Sequence, residues 1–489
     1  MRFEKTALRG AVVTGAAQAA RVVIRFVSVV VLARLLTPAD FGLVAAASPL
    51  VAFVGLFQEL GLRQAVIQRK EIGYPQLNRV FWVTVLTGVA CSLMIVAISP
   101  GIAAFYGDQR LTLVSITVGV PLLFGSMSGL HLGLMSRRLQ FTYIALNDVL
   151  GALVGLIASV LSAYLGYGYW SLIIGMIANS FFVLAASWIT SRFVPGRPDF
   201  RMERDILSFG ANLTGTTIVT FVRRNLDNVL IGKFAGTIEL GLYDRAYKLL
   251  LFPMQNINNP MGRVLLPVLS RVQDDKPRLR EAYLRAVGLL ALLIIPGVAA
   301  LTANSEETIR LLLGERWLGA APMFAWLGLV GMAQPVTNSM GWLFVSQGHT
   351  REMMWLSLFS STVAIIGFCV GLSWGAVGVA ALYAVTSLAI QPVKWWYVGS
   401  MGPVGFLDFA SLQLPYYVAG GLTFFTAKVL HVETDLAEWE IILLSLLSSY
   451  AMAFLAINTT RLGRQTTAEV VSLASRAFEV ATRNGVCIR

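Results

Sequence analysis

The chain holds little of what chemistry on soluble substrates would use. Its 489 residues include only three cysteines (Cys91, Cys369, Cys487) and three histidines (His131, His349, His431). The cysteines lie far apart and form no CxxC pair, which argues against a disulfide framework or a zinc site. The histidines fall in separate segments without ligand spacing, so no metal is expected. No GxxxxGK followed by Ser or Thr is present, which excludes ATP hydrolysis on a P-loop. No DxD motif offers metal-dependent glycosyl transfer, and no long outward loop could build a catalytic domain. The expectation is a protein without cofactor that is not an enzyme. Charge is scarce too: 13% of residues are charged and 56% are hydrophobic.

What fills the chain is apolar sequence. Mean hydropathy is +0.70, and runs of about 20 residues alternate with short polar loops, the pattern of spanning helices rather than barrel strands. The expected fold class is an all-α integral membrane protein of about 14 transmembrane helices, near 11–36, 41–62, 80–103, 113–134, 145–165, 169–191, 207–233, 241–270, 284–303, 319–347, 352–373, 375–397, 410–430 and 440–460. Net charge is +12, but its placement matters more than its size. Lys and Arg gather at the N-terminus, in the even-to-odd loops (Arg63, Arg69, Lys70, Arg79; Arg137, Arg138; Arg192, Arg197, Arg201, Arg204; Arg271, Lys276, Arg278, Arg280) and in the C-terminal tail. The positive-inside rule then puts both termini in the cytoplasm. Charge that follows topology does not call for nucleic acid. The first apolar run is broken by Arg21 and Arg25, a poor signal-peptide core, so it is expected to stay as the first helix. The tail 461–489 carries Val470, Leu473, Ala477, Phe478 and Ala481 at helical spacing, an amphipathic helix for the membrane surface.

The first span carries the most informative pattern. Gln18, Arg21, Arg25 and Ser28 follow spacings of 3, 4 and 3, which place them on one helix face. At an offset of 199 residues stand Thr217, Thr220, Arg224 and Asp227. The match continues from Arg34 through Asp40-Phe41-Gly42-Leu43 to Lys233 through Glu239-Leu240-Gly241-Leu242. This predicts two parallel six-helix lobes, 1–191 and 207–400, joined by a charged cytoplasmic linker at 192–206, with two further helices at 401–460. An arginine at the bilayer centre costs roughly 2.5–3.5 kcal/mol. A helix carries that cost when the side chain faces protein or a watery cavity, so Arg25 and Arg224, with Gln18 and Arg21, are expected to line a cationic cavity, the alternative for the two matched arginines being structural bonds between the lobes. The guanidinium fork suits phosphate or carboxylate.

Other polar groups join the candidate set. Arg245, Lys248 and Asn259 share a face of the eighth span, where Arg245 and Lys248 either line the cavity or snorkel to the interface, and Asn259 either lines it or re-satisfies backbone groups freed by Pro260. Arg223 and Asp227 stand at i, i+4 and form a candidate ion pair, either structural or coupled to proton exchange. The fifth span offers Asn147 and Asp148.

Several blocks resemble bacterial polysaccharide exporters. They are Ala33-Arg34-Leu35-Leu36-Thr37-Pro38 with Asp40-Phe41-Gly42-Leu43, Leu240-Gly241-Leu242-Tyr243-Asp244-Arg245-Ala246-Tyr247, Pro260-Met261-Gly262-Arg263-Val264-Leu265-Leu266-Pro267, and Leu313-Gly314 with Trp317. The family they resemble is the Wzx-like lipid-linked oligosaccharide flippases of the multidrug/oligosaccharidyl-lipid/polysaccharide exporter superfamily. The resemblance implies a polyprenyl-pyrophosphate-linked oligosaccharide as passenger, membrane lipids and polymerase or export proteins as partners, a monomer, and the bacterial inner membrane as location. The alternatives are a cation-coupled small-molecule exporter, whose cavity would show acids without matched arginines, a lipid II flippase, and a membrane glycan polymerase.

Overall fold

The computed structural model describes residues 2–59, 66, 72–199, 221, 225–433, 436–460, 463–464, 466–467 and 472, with backbone alone at 2–13, 59, 259 and 432–433. Every regular element among them is a helix. Nine segments among the described residues are long and apolar enough to cross a membrane by length and composition. The all-α membrane class is as expected. Arg223, Arg224, Thr217, Thr220 and the amphipathic pattern of the tail lie outside the described residues. The chain divides into two compact units, Met1–Asp244 and Arg245–Arg489.

In the first unit, α1 (Arg2–Leu35), α2 (Pro38–Glu59), α3 (Tyr74–Tyr106), α4 (Arg110–Arg137), α5 (Phe141–Tyr164) and α6 (Trp170–Ser191) follow in order, and a helical stretch at 225–234, α7, comes after them. α1 packs on α5, α2 on α3 and α4, and α6 on α4 and α5. The sharp turn into α2 is written in Thr37-Pro38-Ala39-Asp40. Both the backbone N–H and the hydroxyl of Thr37 donate to the Asp40 carboxylate, at 2.9 and 2.7 Å. Pro38 takes the first helical position, where a missing N–H costs nothing. Lipid gives helices no hydrophobic reason to associate, so close backbone approach must supply it. α5 and α6 meet in this way: a Cβ on Gly175 would lie 1.7 Å from Ser159 Oγ, and one on Gly155 2.9 Å from the Gly175 carbonyl oxygen.

The first part of the linker is bound to the end of α3. Tyr74 and Trp82 donate to the carbonyls of Val194 and Gly196. The Asn78 amide donates to the Arg197 carbonyl and accepts from the Gly196 N–H, both at 2.7 Å. Arg79 pairs with Asp199 at 2.8 Å. Residues 192–199 are thus a strap on this unit rather than a loose tether.

Helix α8 (Gly236–Arg271) starts in the first unit and continues in the second, where α9 (Lys276–Ala303), the short α10 (Ser305–Leu312), α11 (Ala321–Ser346), α12 (Thr350–Gly371), α13 (Gly375–Ala389), α14 (Gln391–Met401), α15 (Phe406–Glu433) and α16 (Glu438–Ile457) follow. The span expected at 375–397 is in fact two helices, because Pro392 cannot donate to the i−4 carbonyl. The centre of the unit is α9, against which α11, α15 and α16 pack. Buried Tyr283, Val336, Met340, Phe344, Trp395 and Phe409 form the core at one end. Polar bonds fasten the last two helices: Ser449 and Tyr450 donate to the carbonyls of Pro296 and Leu293 at 2.8 and 2.7 Å, and the buried amide of Gln413 donates to the Met332 carbonyl and accepts from Gln391, both at 3.4 Å.

Candidate functional site

The stripe on α1 is an open face. Gln18 and Arg25 are exposed, and Arg21 and Ser28 are half-buried. α1 has few buried residues because it leans on α5. From α5 comes the carboxylate that meets the stripe: Arg21 Nη1 donates to Asp148 Oδ2 at 2.5 Å, with the two side chains 34% and 33% exposed. Arg21 stands 14 positions before the end of α1 at Leu35, and Asp148 16 positions before the end of α5 at Tyr164, about 21 and 24 Å along their helices. Pairing at one depth therefore needs little tilt of one helix against the other. Arg25, one turn further, makes no ion pair with a described residue.

The energetics leave the stripe unsatisfied. A partly exposed ion pair contributes about 0.2–1 kcal/mol in water, against roughly 2.5–3.5 kcal/mol for each arginine inside a membrane. Among the described residues one carboxylate faces two guanidiniums, a net positive charge that suits water or an anion.

Asp227 is a different kind of site. It is 5% exposed, on α7. It accepts the Tyr243 hydroxyl at 2.9 Å and the Asn228 N–H at 2.9 Å. Its expected partner Arg223 lies outside the described residues. The sequence reading missed Tyr243. The block Leu242-Tyr243-Asp244 carried the signal, since a tyrosine at a buried helix start calls for an acceptor. In the second unit, Arg245 is half-buried and Lys248 exposed on α8. At Asn259 only the helical backbone is described. Among the described residues no group of three or more His, Cys, Asp or Glu could hold a metal. His131 is enclosed by Trp188, Phe81 and Phe193 and meets Ser191 through Nδ1 at 2.7 Å.

The end of the first unit away from the N-terminus is closed by two crossing helix starts. A Cβ on Gly42 of α2 would lie 1.7 Å from the Thr237 carbonyl oxygen, and one on Gly241 of α8 would lie 2.0 Å from the Pro38 carbonyl oxygen. Gly42 and Gly241, like Pro38 and Thr237, are 199 residues apart. The crossing is therefore its own image under the repeat. Beside it, Lys233 donates to the Phe105 carbonyl and sits 5.0 Å from the centroid of the Phe105 ring. The Arg110 guanidinium grips Asp108 at 3.0 and 2.7 Å and holds its carboxyl below the usual range.

Comparison with known proteins gives these features a context. The family model "Polysaccharide biosynthesis protein" matches residues 31–322, a range that contains every block of the resemblance described above. The chain belongs to this family. Two residues of those blocks have structural work here: Gly314 turns the chain at φ +98°, and Trp317 beside it is fully buried. The chain is 24% identical to the lipopolysaccharide biosynthesis protein WzxC of Escherichia coli (strain K12), over 80% of its own length and 81% of the relative's. It is 25% identical to the succinoglycan biosynthesis transport protein ExoT of Rhizobium meliloti (strain 1021), over 75% and 74%. The fold is that of the lipid II flippase MurJ in an inward closed conformation, with a TM-score of 0.68, 14% identity, and 92% of this chain and 98% of that one covered.

Proposed function

We propose that this protein is a flippase of the inner membrane. It carries a polyprenyl-pyrophosphate-linked oligosaccharide from the cytoplasmic to the outer leaflet for exopolysaccharide or lipopolysaccharide synthesis. The observation that carries the reading is the open stripe of Arg21 and Arg25 on the first span of a chain in the polysaccharide biosynthesis family. Two guanidiniums held in apolar surroundings demand an anion, and a pyrophosphate supplies it. Gln18, Arg224, Arg245, Lys248 and Asn259 complete the cavity in this reading, with amide groups serving the sugar. The polyprenyl tail stays in lipid. The lobes 1–191 and 207–400 rock about the cavity, with Arg223 and Asp227 as the candidate pair for coupling. Both termini face the cytoplasm, and the protein works as a monomer beside polymerase and export proteins. The role is transport rather than catalysis.

A small-molecule exporter for cations fits poorly, since guanidiniums repel the cargo. The likeness to MurJ concerns the fold and does not choose the sugar. The test is a strain lacking the gene. Lipid-linked oligosaccharide should accumulate in the inner leaflet, the wild-type gene should clear it, and Arg25→Ala should not. Normal surface polysaccharide in the deletion strain would refute the function.

A further inference from the structure

We propose that Asp148 is an internal stand-in for the anionic headgroup. It holds Arg21 while the site is empty, yields it to the incoming phosphates, and reclaims it as the passenger leaves. The inference rests on the proposed function, because it needs an anionic passenger at the stripe.

Three observations carry it. First, the Arg21–Asp148 pair is not sealed in the core: each partner is about one-third exposed, whereas the carboxylate of Asp227 is 5% exposed. An anion can therefore reach Arg21 without unpacking the unit. Second, the two residues meet at one depth, with Arg21 about 21 Å before the end of α1 at Leu35, on the N-terminal side of the first span. Under the proposed topology this is the inner half of the membrane, where the headgroup enters. Third, Arg25 stands one turn on, about 6 Å further along the axis, exposed and without an ion-pair partner among the described residues. Of these two guanidiniums the Asp148 carboxylate engages only Arg21, whereas a pyrophosphate with several charged oxygens can engage both. The passenger can thus win Arg21 from Asp148 while Arg25 anchors it.

The competition has a use. A transporter that binds its cargo tightly in every state releases it slowly, and only differential affinity moves a two-state equilibrium. A carboxylate that swings back onto Arg21 lowers the affinity of the filled site by a fixed factor and assists release. Asp148 acts through Arg21, so it is a positioning residue and not a contact of the cargo.

The test uses the full-length protein in nanodiscs with polyprenyl pyrophosphate as probe, and titrates wild type, Asp148→Asn, Arg21→Ala, the double variant and Arg25→Ala. Asp148→Asn should bind about three- to tenfold tighter, the scale of losing a partly exposed ion pair together with a like charge. Arg21→Ala should weaken binding more in the Asp148→Asn background than in wild type, since the competitor no longer masks Arg21. Export by Asp148→Asn should slow although binding is tighter. A pair that merely staples α1 to α5 predicts unchanged or weaker binding and additive effects, and either result overturns the proposal. Should Asp148→Asn not fold, a structure of the wild type with the probe bound decides. The Arg21–Asp148 pair must be broken there, and an intact pair beside bound pyrophosphate overturns the proposal. If wild type binds no polyprenyl pyrophosphate at all, the proposed function falls with it. Binding that depends on Arg25 but ignores Asp148 overturns this inference alone.

Discussion

The crossing of Gly42 and Gly241 gives the sharpest mechanical prediction. An alanine at 42 would put its Cβ 1.7 Å from a backbone oxygen, where ordinary contact begins at 3.4 Å. The obstacle is main chain and not the end of a flexible side chain, so the two helix starts must part by well over 1 Å. Overpacking of this kind costs about 1–3 kcal/mol, which moves a conformational equilibrium about 5- to 150-fold. If this end opens during transport, Gly42→Ala should favour the open form without unfolding the protein. Spin labels at Tyr164 and Phe234, both exposed, should report a longer distance by pulsed EPR, and thermal stability should change little. The same logic constrains the double variant. Once Gly42→Ala has separated the backbones, Gly241→Ala meets less resistance, so the two costs should be clearly less than additive. Wild-type distances in both single variants, or two full and additive penalties, would refute a shared crossing that opens.

Further predictions can be checked separately. Arg25→Ala and Arg224→Ala should each abolish export with normal membrane insertion, and lysine should partly restore it, because lysine keeps the charge but loses the fork; export assays with membrane immunoblots decide. Tyr243→Phe removes one donor from a buried carboxylate and should destabilise the first unit by about 1–3 kcal/mol, read as a lower melting temperature in detergent. Asn78→Ala removes two hydrogen bonds from the strap. It should speed tryptic cleavage after Arg192, and unchanged cleavage would count against a bound strap.

Much of this molecule was legible in its sequence, for identifiable reasons. Spans announce themselves because lipid requires about 20 apolar residues and satisfied backbone. The Gly-Leu pairs at 42 and 241 were visible as a repeat, and their contact follows because only glycine permits so close a crossing. Thr37-Pro38-Ala39-Asp40 could be read locally as a helix start. The Arg21–Asp148 pair could not be read this way: its partners are 127 residues apart, and a single chain gives no signal for which of many buried polar groups will meet. Asp227 shows the limit from the other side. Spacing offered Arg223 as a partner, while the tyrosine 16 residues on is brought to the carboxylate by the turn between α7 and α8, which period-counting does not see. The break at Ile390 was foreshadowed by Pro392, whose effect was hidden by continuous apolar sequence around it.

The most direct measurement of the central claim is leaflet-to-leaflet movement in proteoliposomes that contain only this protein and a labelled polyprenyl-pyrophosphate oligosaccharide. A membrane-impermeant glycosidase then removes the sugar exposed outside. The account predicts that wild type lets nearly all of the labelled pool be digested, while Arg25→Ala/Arg224→Ala leaves about half protected, as empty liposomes do. Protection of half the pool by wild type, or full digestion with the double alanine variant, would contradict it.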